Sequence, residues 1–139
     1  MNIVLDTNCL IQILPQQAEH RWVYDAILQG NIILFVSTEI ILEYEEVINE
    51  FYGSDVLGGN VANLLLQLPK TQKRDIYFNW NLIGKDPDDN KYVDLAVATN
   101  AELIVTNDGH FKVLKDVDFP KVIFMNLEDF KEYWEERFL

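Results

Sequence analysis

The chain has 139 residues, about the length of one domain, and its 49% hydrophobic and 12% aromatic content supplies a core and excludes disorder. Its 23 acidic residues against 11 Lys and Arg leave a net charge of −12, which is unfavourable for approach to RNA or DNA, since most of that affinity comes from cations on phosphates. A single cysteine, Cys9, excludes an intramolecular disulfide and a cysteine-based zinc site, and two histidines, His20 and His110, are too few for a histidine-rich one.

Met1-Asn2-Ile3-Val4-Leu5 is an apolar run that stops at the polar triplet Asp6-Thr7-Asn8, and Ile3 to Leu5 reads as a buried strand. A helix from about Ala18 to Leu28, ended by Gly30, and a second strand from Ile32 to Val36 complete a βαβ unit. Ser37-Thr38 offers an N-cap for a helix through about Phe51, in which Ile40, Tyr44, Val47, Ile48 and Phe51 recur at helical spacing and which Gly53 closes. A further apolar helix is expected from Asn60 to Leu68, stopped by Pro69, with the helical region continuing from Thr71 to Trp80. Gly84-Lys85-Asp86-Pro87-Asp88-Asp89-Asn90 is a polar turn. After it come a helix from about Asp89 to Asn100, a strand at Leu103 to Thr106, a short turn at Phe111 to Leu114, a strand at Val122 to Met125 and an acidic, aromatic helix from Leu127 to Phe138.

This alternation predicts an α/β fold with a doubly wound parallel sheet and right-handed crossovers, whose functional groups gather outside the carboxyl ends of the strands. Asp6, Ser37 and Asp108 follow the first three strands and so end at one edge; Glu43, in the second turn of its helix, and Asp89, at the start of another, can face it too. Four carboxylates there would repel one another unless cations joined them. Oxygen ligands without Cys or His suit hard ions, so Mg²⁺ or Mn²⁺ is the expected cofactor and phosphodiester hydrolysis the expected chemistry.

Each acid also has a plain structural role open to it. Asp6 can cap the next turn, and Asp108 can be an ordinary turn residue in Thr106-Asn107-Asp108-Gly109. Glu43 belongs to a stripe with Glu39, Glu46 and Glu50 of the kind that usually faces solvent. Asp86, Asp88, Asp89 and Asp94 compete for one place, and an Asp before a helix is often only its N-cap. Cys9 reads as a buried small apolar group, and His110, close to Asp108, either touches the site or decorates the loop. Gly58-Gly59, with no Lys-Ser/Thr after it, is no P-loop.

Asp6-Thr7-Asn8 after the first strand, Ser37 with Glu43 six residues on, the Asp-rich segment before Tyr92-Val93-Asp94-Leu95-Ala96-Val97-Ala98, and Thr106-Asn107-Asp108 with Phe111 together resemble the PIN domain. The resemblance is nearest to the VapC-like PIN proteins of bacterial and archaeal toxin–antitoxin pairs and runs over almost the whole chain. It implies one domain over residues 1–139, a three-layer α/β/α sandwich on a parallel sheet of four to five strands, and Mg²⁺- or Mn²⁺-dependent endoribonuclease activity. It also implies a homodimer and a cognate antitoxin. Asp6, Glu43 and Asp108 match the family's first, second and fourth acids, with Asn8 and Thr106 as polar supports. Asp89 fits the third acid best, with Asp86 and Asp94 as rivals.

Lys70, Lys73 and Arg74, with Lys112 and Lys115, are the candidates for RNA phosphate contacts. Two other readings stay open: a catalytically silent PIN-like module that binds RNA or protein, and a phosphohydrolase with Asp6 as nucleophile, which ordinarily needs a second Asp where Asn8 stands. The N-terminus lacks a signal-peptide pattern and no apolar run reaches the ~18 residues of a membrane span, so a soluble cytoplasmic protein is expected.

Overall fold

A computed structural model describes residues 1–139. In chain order, β1 (Asn2–Leu5) leads through α1 (Thr7–Ile13) and α2 (Arg21–Gln29) to β2 (Ile33–Val36), and α3 (Thr38–Tyr52) and α4 (Leu57–Gln67) lead to β3 (Gln72–Lys73). A 3₁₀ turn at Pro87–Asp89 opens α5 (Asn90–Thr99), which runs into β4 (Leu103–Val105); a second 3₁₀ segment at Gly109–Asp116 precedes β5 (Phe124–Met125) and α6 (Leu127–Phe138).

The five strands are all parallel, in the order β3-β2-β1-β4-β5. β1 is central: Val4 pairs with Phe35 on one side and Ile104 on the other, and Ile3, Val4 and Leu5 are completely buried. That explains their unbroken apolar character, because a strand covered on both faces has no solvent side to alternate toward. The chain steps from β1 to β2 to β3 in one direction, then returns across the sheet to β4 and β5. Right-handed connections put helices of opposite travel on opposite faces, so α5, packed on β1, β2 and β4, lies across the sheet from α1–α4. The reversal occurs between β1 and β4, where such sheets open a crevice beyond the carboxyl ends of the strands.

Local chemistry sets the helix boundaries. Ser37 caps α3 by accepting a hydrogen bond from the Ile40 amide at 3.2 Å, and Asn126 caps α6 through the Asp129 amide at 2.8 Å. Gly30 and Gly53 end α2 and α3 in the left-handed region, at φ 81° and 63°. Trp22 of α2 packs on Phe130 and Trp134 of α6, with ring centroids 5.5 and 5.7 Å apart, which docks the last helix.

α4 lies unusually close to α3. A Cβ on Gly58 would sit 2.1 Å from the Glu45 carbonyl oxygen, and the Gly58 amide donates to Asn49 Oδ1 at 2.7 Å. Gly58→Ala is therefore expected to cost about 1–3 kcal/mol, read as a lower urea midpoint; an unchanged midpoint would contradict the close approach.

Three elements differ from expectation. A helix not expected from the sequence follows β1: Asp6 caps α1, whose Cys9, Leu10, Ile11 and Ile13 are buried. Residues 71–80 are not helical: Gln72 and Lys73 pair with Phe35 and Val36 at the free edge of β2, and the Arg74 amide donates to the Val36 carbonyl. The chain there spends its backbone groups on the sheet. The last strand is also shorter than expected, with only Phe124 and Met125 in the ladder.

Candidate metal centre

Asp6 follows β1 directly, and its amide donates to the Val105 carbonyl at 3.0 Å, continuing the ladder by one bond. Its carboxylate is buried. Oδ2 accepts a 2.7 Å hydrogen bond from the Thr106 hydroxyl, while Oδ1 takes only a long 3.4 Å contact from the Asn8 amide. Thr106 follows β4 and works in both directions, since its hydroxyl oxygen also accepts from the Asp108 amide at 3.1 Å. One side chain thus ties the ends of the two central strands together. Asn8 contributes its amide; its side chain lies exposed.

Asp108 caps the 3₁₀ segment behind it, its Oδ1 accepting from the His110 amide at 2.8 Å. The turn role open to it is real, and it occupies only one oxygen. Asp89 differs. It stands at the N-cap position of α5 yet makes no capping hydrogen bond, and its Oδ2 is buried with no partner. A buried carboxylate oxygen left bare is costly.

Oxygens of Asp86, Asp89 and Asp108 and a ring nitrogen of His110 all lie within 4.8 Å of one another. His110 Nδ1 is 3.3 Å from Asp108 Oδ1, 3.7 Å from Asp86 and 3.8 Å from Asp89. Of the two readings open to His110, the structure favours contact with the acids. Burial pushes the Asp89 carboxyl up to about 8, helped by Asp108 beside it and by Asp86 and Asp6. Burial also raises Asp6, with the Glu43 and Asp108 charges adding to it and the Thr106 hydrogen bond opposing.

Glu43 lies near enough to Asp6 for its charge to act on it, and its own oxygens have partners. Its Oε2 accepts from the Thr7 hydroxyl at 2.6 Å and from the Tyr92 hydroxyl, and its Oε1 pairs with Lys91 Nζ at 3.1 Å. Both oxygens are engaged within the protein. Thr7 and Tyr92 stand in the motifs quoted above without a role of their own, and Lys91 carries none in the sequence reading. The available signal was a Lys three residues after Asp88 in the first turn of a helix, a spacing that brings the two side chains together.

Asp94 leaves the cluster. It sits on a different side of α5 and accepts from the Trp80 amide at 3.0 Å, holding the irregular segment before the helix. The cations divide as well. Lys73 and Arg74 lie beside Val36 at the carboxyl edge of the sheet, where they line a cleft of about 580 Å³ with Tyr77, Phe78 and Trp80. Lys112 and Lys115 are exposed on the segment after Asp108. Lys70 instead reaches the Gly30 carbonyl, before β2 and thus at the opposite end of the sheet from the acids. Cys9 is fully buried, and burial with the nearby Asp6 charge pushes its thiol up to about 12, so it is inert at neutral pH.

The family model described as PIN domain matches residues 2–110. The chain belongs to the PIN domain family. Among solved structures it shares its fold with a chain of VapBC2 from Rickettsia felis bound to a DNA fragment from their promoter. There the TM-score is 0.56 and the identity 21%, over 91% of this chain and 98% of that one. A chain of VapBC-1 from nontypeable Haemophilus influenzae gives a TM-score of 0.56 at 17% identity, over 92% and 99%. PAE2754 from Pyrobaculum aerophilum gives 0.54 at 11%, over 99% and 97%. No curated protein matches the chain. No helix of this PIN domain is long and apolar enough to cross a membrane.

The raised Asp89 carboxyl has a measurable consequence for the PIN domain freed of metal. An unfolded Asp titrates near 3.8 and folded Asp89 near 8, so its contribution to stability is fully present below about pH 4 and is lost as pH rises through 8. In EDTA the melting temperature is expected to fall between pH 5 and pH 8.5, and Mn²⁺ is expected to restore more of it at pH 8.5 than at pH 5. Equal effects at the two pH values would contradict this.

Proposed function

We propose that this PIN domain is a Mg²⁺- or Mn²⁺-dependent endoribonuclease, acting as the toxin of a toxin–antitoxin pair. The observation that carries the reading is the bare, buried oxygen of Asp89 beside Asp108, Asp86 and Asp6 at the reversal point of the sheet. A hard cation satisfies that oxygen and relieves the crowding of like charges, and an oxygen-rich donor set selects Mg²⁺ or Mn²⁺. Asp89 and Asp108 would hold the ion with Asp6 alongside, and Asp86 and His110 border the same space. A divalent ion bound there supplies Lewis-acid polarisation of a phosphodiester and a more acidic water.

The residues of the chain do the rest. Thr106 fixes the spacing of Asp6 and Asp108 through its two hydrogen bonds. Lys91 neutralises Glu43, so one acid fewer repels the incoming phosphate. Lys73, Arg74, Lys112 and Lys115 lie on the acidic side of the sheet and are the cations available to an RNA backbone. Asp6 is engaged as helix cap and hydrogen-bond acceptor, a positioning geometry that disfavours its use as a free nucleophile.

The fold shared with chains of VapBC structures supports an antitoxin as the partner, and a homodimer belongs to the same proposal. A net charge of −12 favours the silent-module alternative, in which the same fold binds without cutting. Cleavage of a panel of structured and single-stranded RNAs, with Mn²⁺, Mg²⁺ or EDTA, separates the two. Wild type is expected to cut only with metal and Asp6→Asn not to cut. Absence of cleavage together with absence of metal binding would overturn the nuclease reading.

A further inference from the structure

We infer that the Lys91 ammonium occupies the place of a second cation at Glu43, so that the centre takes one divalent ion per chain rather than two. The inference rests on the reading of the acids as a metal centre and specifies its composition.

The lysine is built into the structure. Its side chain is 5% exposed, and Nζ lies 3.1 Å from Glu43 Oε1, 2.9 Å from Asp88 Oδ2 and 2.9 Å from the Asp88 carbonyl oxygen. The ammonium therefore donates a hydrogen bond to the Asp88 carbonyl and stands within ion-pair distance of both carboxylates. Two carboxylates, Glu43 and Asp88, face this one buried ammonium.

Both Glu43 oxygens already have partners within the protein. Lys91 takes one oxygen, and the Thr7 and Tyr92 hydroxyls share the other. To become a ligand through that oxygen, Glu43 would have to give up its contact with Lys91, whose charge would then rest on Asp88 alone. Asp89 Oδ2 has no hydrogen-bond partner, and its one cationic neighbour is the His110 ring at 3.8 Å. The acids therefore fall into two halves, one already neutralised by an ammonium and one awaiting a cation. Two-metal sites place both ions close together among shared carboxylates, and here a fixed positive charge holds part of that space.

Calorimetric titration of the metal-free chain with Mn²⁺ tests this without measuring cleavage. Wild type is expected to bind one ion. Lys91→Met, which keeps the length and removes the charge, is expected to bind a second ion or to hold the first at least about tenfold more tightly. Lys91→Arg is expected to keep one. Should Lys91→Met fail to fold, Glu43→Gln decides: it is expected to hold Mn²⁺ within about threefold of wild type, whereas Asp89→Asn loses about a hundredfold. Two ions in wild type would overturn this inference alone, as would Glu43→Gln losing Mn²⁺ as severely as Asp89→Asn. No binding by wild type would overturn the metal centre itself.

Discussion

Asp108→Asn is expected to lower metal-dependent RNA cleavage by about a thousandfold or more, a loss comparable to removing a charge-stabilising group from a transition state, while the protein stays folded. The fold survives because the capping bond needs only an acceptor. Asn keeps an Oδ1 that can take the His110 amide, as Asp108 does at 2.8 Å. What disappears is the negative charge beside Asp89 and the oxygen offered to a cation. The same change removes a like charge, one of the causes that raise Asp89 after burial itself, so the Asp89 carboxyl is expected to fall back toward the ordinary range. Paired rate and melting measurements check both halves. Cleavage at the wild-type rate would remove Asp108 from the site, and loss of folding would return it to the role of a turn residue.

Thr106→Val has the next largest expected effect. The substitution preserves shape and deletes one hydroxyl, yet that hydroxyl donates to Asp6 at 2.7 Å and accepts from the Asp108 amide at 3.1 Å. Both partners then lose their bond in a buried place. Stability is expected to fall by about 1–3 kcal/mol, the usual cost of a buried polar group left without its partner. Mn²⁺ affinity is expected to fall about 10–100-fold, as it does when a group that orients a ligand is removed. Thr106→Ser keeps the hydroxyl and is expected to recover most of the affinity. If Val and Ser variants bound Mn²⁺ alike, the hydroxyl would have no part in positioning Asp6 and Asp108.

The sequence carries the centre of the parallel sheet because burial on both faces writes β1, β2 and β4 as apolar runs. The last helix is equally legible: Asn126 caps it and an amphipathic stretch fills it, so its expected bounds, Leu127 to Phe138, are the observed ones. α1 escaped because it is only seven residues long and begins on the polar triplet that ends β1, where a polar break reads as loop. Residues 71–80 escaped because β3 exists only through its pairing with β2, and edge pairing is tertiary.

The site divides along the same line. Asp6 and Asp108 are marked by their positions after two adjacent strands, a consequence of topology. Asp89 could not be separated from Asp86 and Asp94 by spacing alone. Hydrogen bonding separates it from the likewise buried Asp94, which accepts from the Trp80 amide while Asp89 Oδ2 accepts from nothing, whereas Asp86 stays in the same cluster. In the Glu39, Glu43, Glu46 and Glu50 stripe, Glu43 is the half-buried member and the others are exposed. Its partner Lys91 depends on how α5 meets α3 and left no stronger trace than a lysine among aspartates.

The most direct test is a crystal of the protein grown with Mn²⁺ and measured for anomalous scattering. A manganese peak touching Asp89 and Asp108, with Lys91 still on Glu43, is the expected result; a peak absent from the Asp89–Asp108 cluster, in a crystal where that face is open to solvent, would contradict the metal centre.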